Sequence, residues 1–438
     1  MFAHAHGRPL RRFRFPVLAV SRVALACAFG LGAMQVHAVP LTLADALRLA
    51  HERSRQLPAH EASAAASREM AIAAGQRPDP ILKAGINNLP IDGPDRYSLT
   101  RDFMTMRSVG VMQEFTRESK LKSRTARFER EAEVAEAGRE LALANLRRDT
   151  AMAWLDRHYQ ERSREVLIAQ RDEARLQIDA ADAAYRGGRG SQADVFAARS
   201  SVAQIEDRLA QAERQVATAT TQLARWVGTP AGELLGAAPP LDTVALRAAD
   251  LDTQLAHHPQ IEFLARQEAM AQADAEVAQA NRNPDVSVEL MYSQRGSAYS
   301  NMVSLNLSVP LPWDRKNRQD REVAAKLALV EKARAEREEA TRMHVAEALA
   351  MLQEWRSDRE RLTRYDASLL PLAAERTRAS IAAYRGGGGP LAAVLEARRG
   401  EIDTRMERLR LEMGAARLWA QLTYLVPVGH ETPAAARP

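Results

Sequence analysis

Three groups of residues in this chain are of types that could do chemistry. His257-His258 could offer two imidazoles to a transition metal. Met104 and Met106 could hold soft cations such as copper(I) or silver through their thioethers. Asp194 and Glu396 are acids within helical patterns, and a narrow ring of such acids favours cations and repels anions. None of these belongs to a catalytic set. The histidines are scattered, no nucleophile, base and orienter can be matched, and no phosphate-binding loop or dinucleotide fingerprint occurs. His257-His258 stand directly before Pro259 and read as the exposed start of a helix. Met104 and Met106 read as loop packing, and the two acids, taken alone, as parts of solvated faces. The chain therefore reads as no enzyme, with no cofactor and no resident metal.

Residues 1–22 carry Arg8, Arg11, Arg12, Arg14 and Arg22 and no acid. An apolar run follows to Met34, then Val36-His37-Ala38, which is similar to a small-residue cleavage site. Residues 1–38 read as a secretory signal peptide. Five of the 61 basic residues leave with it, so the remainder carries 56 cations against 56 anions. The basic footprint of a nucleic-acid binder is absent. Cys27, the only cysteine, sits in the apolar run of the signal, which excludes disulfides, thiolate metal sites and catalytic thiols downstream. Beyond residue 38 no apolar run reaches 18 residues, so a membrane could be crossed only by a closed β-barrel.

The chain is duplicated. Ala183-Ala184-Tyr185-Arg186-Gly187-Gly188 recurs as Ala382-Ala383-Tyr384-Arg385-Gly386-Gly387, and Arg77-Pro78-Asp79 is matched by Asn283-Pro284-Asp285. Residues 39–228 form the first copy and 251–427 the second, with an equatorial segment, 229–250, between them and a disordered Pro/Ala-rich tail at 428–438. Each copy is mostly helix. Val202, Ile205, Leu209, Ala212, Val216, Ala219, Leu223 and Trp226 alternate three and four apart, a coiled-coil seam. Ile402, Met406, Leu409, Met413, Ala416 and Ala420 make a second, and Ala348, Trp355, Leu362 and Leu369 fall seven apart. Helices are expected over 43–77, 118–185, 191–228, 250–281, 315–385 and 390–425, the two longest roughly 100 Å each. Short helices stacked end to end would match the long ones in a wall of uniform height. Strands are expected over 81–87, 107–115, 286–294 and 302–311, the last two with clean alternation of apolar and polar residues. That alternation alone also fits a soluble sheet packed on a helix. Four strands cannot close a membrane barrel. Three copies would close twelve; two would close eight, with a lumen filled by side chains.

The duplicated helix–hairpin–helix plan, the YxxG tips and the secretory signal together resemble the TolC family of outer-membrane efflux factors over nearly all of the chain beyond residue 38. The stretch Asn87-Asn88-Leu89-Pro90-Ile91-Asp92-Gly93, followed by Asp102-Phe103-Met104-Thr105-Met106-Arg107 and Gln113-Glu114-Phe115, resembles the heavy-metal (CzcC/CusC-like) branch of RND efflux systems. The resemblance implies a homotrimer with a twelve-stranded barrel in outer-membrane lipid and a long periplasmic α-barrel. It also implies docking on a periplasmic adaptor (membrane fusion) protein and an inner-membrane RND pump. The docking tips would be Arg186, Gly187, Gly188, Arg189 and Gly190, and Arg385, Gly386, Gly387, Gly388 and Gly389. The constriction and its gate would involve Glu396, Asp194, Tyr384 and Tyr185, with Tyr384 and Asp194 in the positions of the family's latch. The latch arginine falls on Gly389, and Ala393 replaces the second constriction acid, so part of that pattern is missing. Competing expectations are a periplasmic coiled-coil adaptor, which would carry one hairpin and more strand, a structural coiled coil, and a channel for drugs or other small molecules.

Overall fold

The computed structural model describes residues 40–426, and the expected signal peptide and tail lie outside them. Nine α-helices and four strands form the described residues, besides short 3-10 and π turns. Helices α1 (Leu43–Arg53) and α2 (Gln56–Ala74) lead into strands β1 (Ile81–Asn87) and β2 (Met106–Phe115). Helices α3 (Glu118–Arg186) and α4 (Gln192–Val227) form the first hairpin. The plan then repeats with α5 (Leu251–Leu255), α6 (Pro259–Asn281), β3 (Val286–Gln294), β4 (Met302–Ser308), α7 (Gln319–Arg364), α8 (Leu370–Arg385) and α9 (Leu391–Thr423). The 69 residues of α3 span about 100 Å.

Four expectations change, three of them at prolines. The helix expected over 43–77 is broken at Ser54-Arg55, because Pro58 has no N–H for the carbonyl four residues back and its ring would strike it. The helix expected over 250–281 breaks before Pro259, which instead opens α6, where its missing N–H costs nothing. Strand β4 ends at Ser308 rather than 311, ahead of Pro310. The fourth change lies in the long stretch 315–385, where Tyr365–Leu369 form a π-turn just before Pro371. The extra residue advances the helix by about 100°. Leu369, seventh from Leu362, therefore leaves the seam and is exposed, while Ala348, Trp355 and Leu362 stay buried.

The largest core cluster packs α1, α3, α4, α7 and α9 with the segment between the copies. Trp154, Leu155, Tyr159, Leu223 and Leu352 are fully or almost fully buried there. The segment between the copies wraps this core without regular structure beyond short 3-10 turns and one parallel bridge, Leu41 with Leu235. Two side chains hold it. Buried Arg157 donates to the carbonyls of Ala231 and Glu233, and Trp419 Nε1 donates to Thr243 O at 3.0 Å. Both coiled-coil seams face inward: Val202, Ile205 and Leu209 pack with Leu167, Ala174 and Ile402. The hairpins are also tied by ions, with Arg208 Nη1 2.7 Å from Asp403 Oδ1 and Arg398 on Glu173.

Candidate functional site: hairpin tips and an exposed sheet

At both tips the helices stop by the same hydrogen bonds. Gly187 N donates to Ala183 O at 3.0 Å and Arg189 N to Ala184 O at 2.9 Å. In the second copy, Gly386 N donates to Ala382 O at 2.9 Å and Gly388 N to Ala383 O at 2.9 Å. Gly188 and Gly387 take φ of 69° and 75°, the left-handed conformation that a side chain disfavours, so glycine is required there. Gly190 and Gly389 complete the turns. The side chains of Arg189 and Arg385 are exposed at the tips and make no hydrogen bond or ion pair in the chain, whereas Arg186 pairs with Asp182.

The tips differ at the start of the returning helix. Ser191 caps α4, and Asp194 closes a capping box: Ser191 N and Oγ donate to Asp194 Oδ2 at 2.9 and 2.7 Å. The hydrogen bonds from the Ser191 backbone and hydroxyl hold the Asp194 carboxyl below the usual aspartate range. Its oxygens are thus engaged within its own helix, and no hydrogen bond joins it to Tyr384 in the single chain. In the second copy Pro390 and Ala393 occupy the corresponding positions, and α9 begins without a side-chain cap.

The two tip tyrosines also part ways. Tyr384 is half-buried against Val195, Ala198, Leu391 and Val394, where the hairpins meet, while Tyr185 is exposed. Glu396 lies exposed on α9, and Arg376 Nη2 on α8 reaches its Oε1 at 2.9 Å. Glu396 therefore shares its position with a cation. Sequence reading missed Arg376, because only the hairpin brings residues 20 apart together.

At the other end, β1-β2-β3-β4 form one antiparallel sheet. Register puts Leu82, Val111, Leu290 and Leu305 in one row and Ala84, Val109, Tyr292 and Val303 in the next. These side chains are exposed: Leu82 and Leu305 at 73%, Val303 at 70% and Leu307 at 69%. Trp313, just after β4, is exposed at 89%. The opposite face carries Lys83, Ser108, Glu289, Ser293, Ser304 and Asn306. There Lys83 Nζ meets Glu289 Oε2 at 2.8 Å, reaching past Gly110 of the intervening strand. A Cβ at Gly110 would lie 2.7 Å from Leu290 O, so nothing larger fits. An exposed apolar face backed by a polar one is the pattern of a membrane strand with its lumen side. β1 and β4 leave two open edges.

His258 is buried rather than exposed. Its ring stacks on His344 with centroids 4.4 Å apart, and its Nδ1 accepts from Gln260 N at 3.2 Å. Burial, then His344 and Arg148 nearby, push its pKa down to about 4. Met104 lies in the β1–β2 loop, whereas Met106 opens β2. Among the described residues there is no group of three or more potential metal-ligating side chains, and no helix is long and apolar enough to cross a membrane.

The chain's relatives bear on this arrangement. A family model described as Outer membrane efflux protein matches residues 46–229 and 251–426, the two copies without the equatorial segment. Among solved structures, CusC is similar with a TM-score of 0.74 at 14% identity, covering 88% of this chain and 92% of its own. The outer-membrane channel OprN has a TM-score of 0.73 at 16% identity, covering 88% and 90%. VceC, an outer membrane protein of Vibrio cholerae, has a TM-score of 0.71 at 18% identity, covering 87% and 95%. No curated protein matches the chain in sequence.

Proposed function

The chain belongs to the outer membrane efflux protein family, and on that premise we propose that it is the exit duct of a tripartite RND-type pump, closed by three copies and working on heavy-metal cations. The observation that carries the reading is the sheet. One exposed apolar face, one polar face and two open edges stand at the end of helical stretches about 100 Å long. Such a sheet is unstable alone in lipid, because its edge amides and carbonyls find no partners there. Three copies would join β4 of each to β1 of the next and make twelve strands in outer-membrane lipid. The duct is passive and takes its energy from the inner-membrane pump, reached through a periplasmic adaptor.

In this reading the glycine-rich tips, with the unpaired Arg189 and Arg385, dock the adaptor. Glu396, balanced by Arg376, sets ion preference at the constriction, and Tyr384, Tyr185 and Asp194 lie at the moving end. Heavy-metal cargo rests on the stretches 87–93, 102–107 and 113–115. A strain lacking the protein tests the cargo: sensitivity to soft and divalent metal cations, with unchanged sensitivity to hydrophobic drugs, is expected. Drug sensitivity without metal sensitivity would support the second reading, a channel for drugs or other small molecules. No change in either would remove efflux.

A further inference from the structure

The sheet is joined to the helices by one tight ionic contact. Asp285, directly before β3, reaches back to the start of α3, which follows the neighbouring strand β2. Its Oδ2 is 2.7 Å from Lys120 Nζ, and its Oδ1 accepts from Arg117 N at 3.2 Å. Both side chains are nearly buried, at 6% and 16% exposure. Helix α3 has no cap from its own side chains, so this contact from 165 residues away fixes its start beneath the sheet.

The duplication supplies the same parts once more, but within one chain they never meet. Asp79 stands before β1 with Pro80 between them, much as Asp285 stands directly before β3. Arg321 is the third residue of α7, as Lys120 is of α3. Asp79 and Arg321 are both exposed, and neither side chain has a hydrogen bond or ion pair within the chain. Their separation follows from topology. The strand beside β3 on the α3 side is β2, whereas β1 is an edge. The strand that leads into α7 is β4, the opposite edge.

We propose that Asp79 of one copy pairs with Arg321 of the next, completing between chains the joint that Asp285 and Lys120 make within one. This rests on the trimer reading above and deepens it. Closing the ring sets β1 of one copy about 4.8 Å from β4 of its neighbour, which brings Asp79 to the end of β4 from which α7 descends. The heights agree. Glu118 stands 67 residues before Tyr185 and Gln319 stands 65 before Tyr384, so the two helix starts differ by about 3 Å. The ten-residue link 309–318, against two residues between β2 and α3, therefore loops without displacing α7 along its axis. The signs are complementary: Asp79 is an exposed acid with no side-chain partner at one edge, and Arg321, like Lys316 and Arg318 just before it, is an exposed base with none at the other. Each barrel would hold three joints within chains and three between them, alternating around the ring.

The test is a charge swap read on the full assembly. Wild type, Asp79→Arg, Arg321→Asp and the double variant are purified in detergent. Oligomer mass is measured by light scattering, and the temperature of trimer dissociation by gel mobility. The expected result is a wild-type trimer, single variants dissociating several degrees lower, and recovery in the double variant. A thiol crosslinker on the Asp79→Cys/Arg321→Cys chain gives a second readout: covalent dimers and trimers are expected. Intact trimers whose single variants dissociate at the wild-type temperature, or which never crosslink between chains, would overturn the joint and leave the trimer standing. A monomeric wild type would overturn the trimer and the joint with it.

Discussion

Leu305 is the fourth of seven residues in β4 and pairs with Leu290, the fifth of nine in β3. Both therefore sit at strand midpoints, in a row of exposed apolar side chains. If this face meets lipid, Leu305→Arg places a cation at the bilayer midplane, at a cost of about 2–4 kcal/mol per chain. Three chains place three arginines in one barrel, so the assembled loss is about 6–12 kcal/mol if the sites act independently. Asn306→Arg introduces the same side chain one residue on, facing the polar side opposite Glu289, and should cost little. Val303→Arg, near the end of the strand, should fall between, because the penalty shrinks toward the interface. Folding into lipid vesicles, titrated with urea and read by gel mobility, measures all three. Equal costs for Leu305→Arg and Asn306→Arg, or no dependence on depth, would refute the assignment of the faces.

Three further outcomes follow from the helical part. Arg157→Leu leaves the carbonyls of Ala231 and Glu233 buried without a donor; about 2–4 kcal/mol should be lost, and limited proteolysis should cut within 229–250 well before it cuts the helices. His258, with its pKa pushed down to about 4, stays neutral in the fold while the unfolded chain takes up protons below about 6.5. Stability should thus fall as pH drops from about 6.5 to 4, by about 3 kcal/mol in all, and level off below. His258→Asn keeps a helix-capping side chain and should flatten that slope in denaturant melts. Asp194→Ala removes the capping box and should cost about 1 kcal/mol, seen as faster hydrogen exchange in the first turn of α4, with the matching turn of α9 unaffected.

The parts of the fold set by local pattern were legible in the sequence. Alternation in Val286, Val288, Leu290 and Tyr292 is a backbone property of strands, and the three-four spacing from Val202 to Trp226 is one of packed helices. Proline effects were legible in principle, since Pro58, Pro259, Pro310 and Pro371 each mark a break, a strand end or the π-turn. Ser191 and Asp194 carry the spacing of a capping box, which offers a nearer role for the acid than a latch. What stayed hidden depends on contacts distant in sequence. Arg376 beside Glu396, Arg157 on the equatorial carbonyls, His258 beneath His344 and Asp285 on Lys120 are set by how whole helices pack. Nothing in their immediate neighbours announces them.

The central claim is a water-filled passage made by three chains, and single-channel recording in a planar bilayer tests it most directly. The trimer of the chain beyond residue 38 should insert and give discrete steps of ion current, and Glu396→Ala should shift those steps away from cation preference. A protein that fails to insert, or that inserts as a trimer and passes no current at any voltage, would contradict the account.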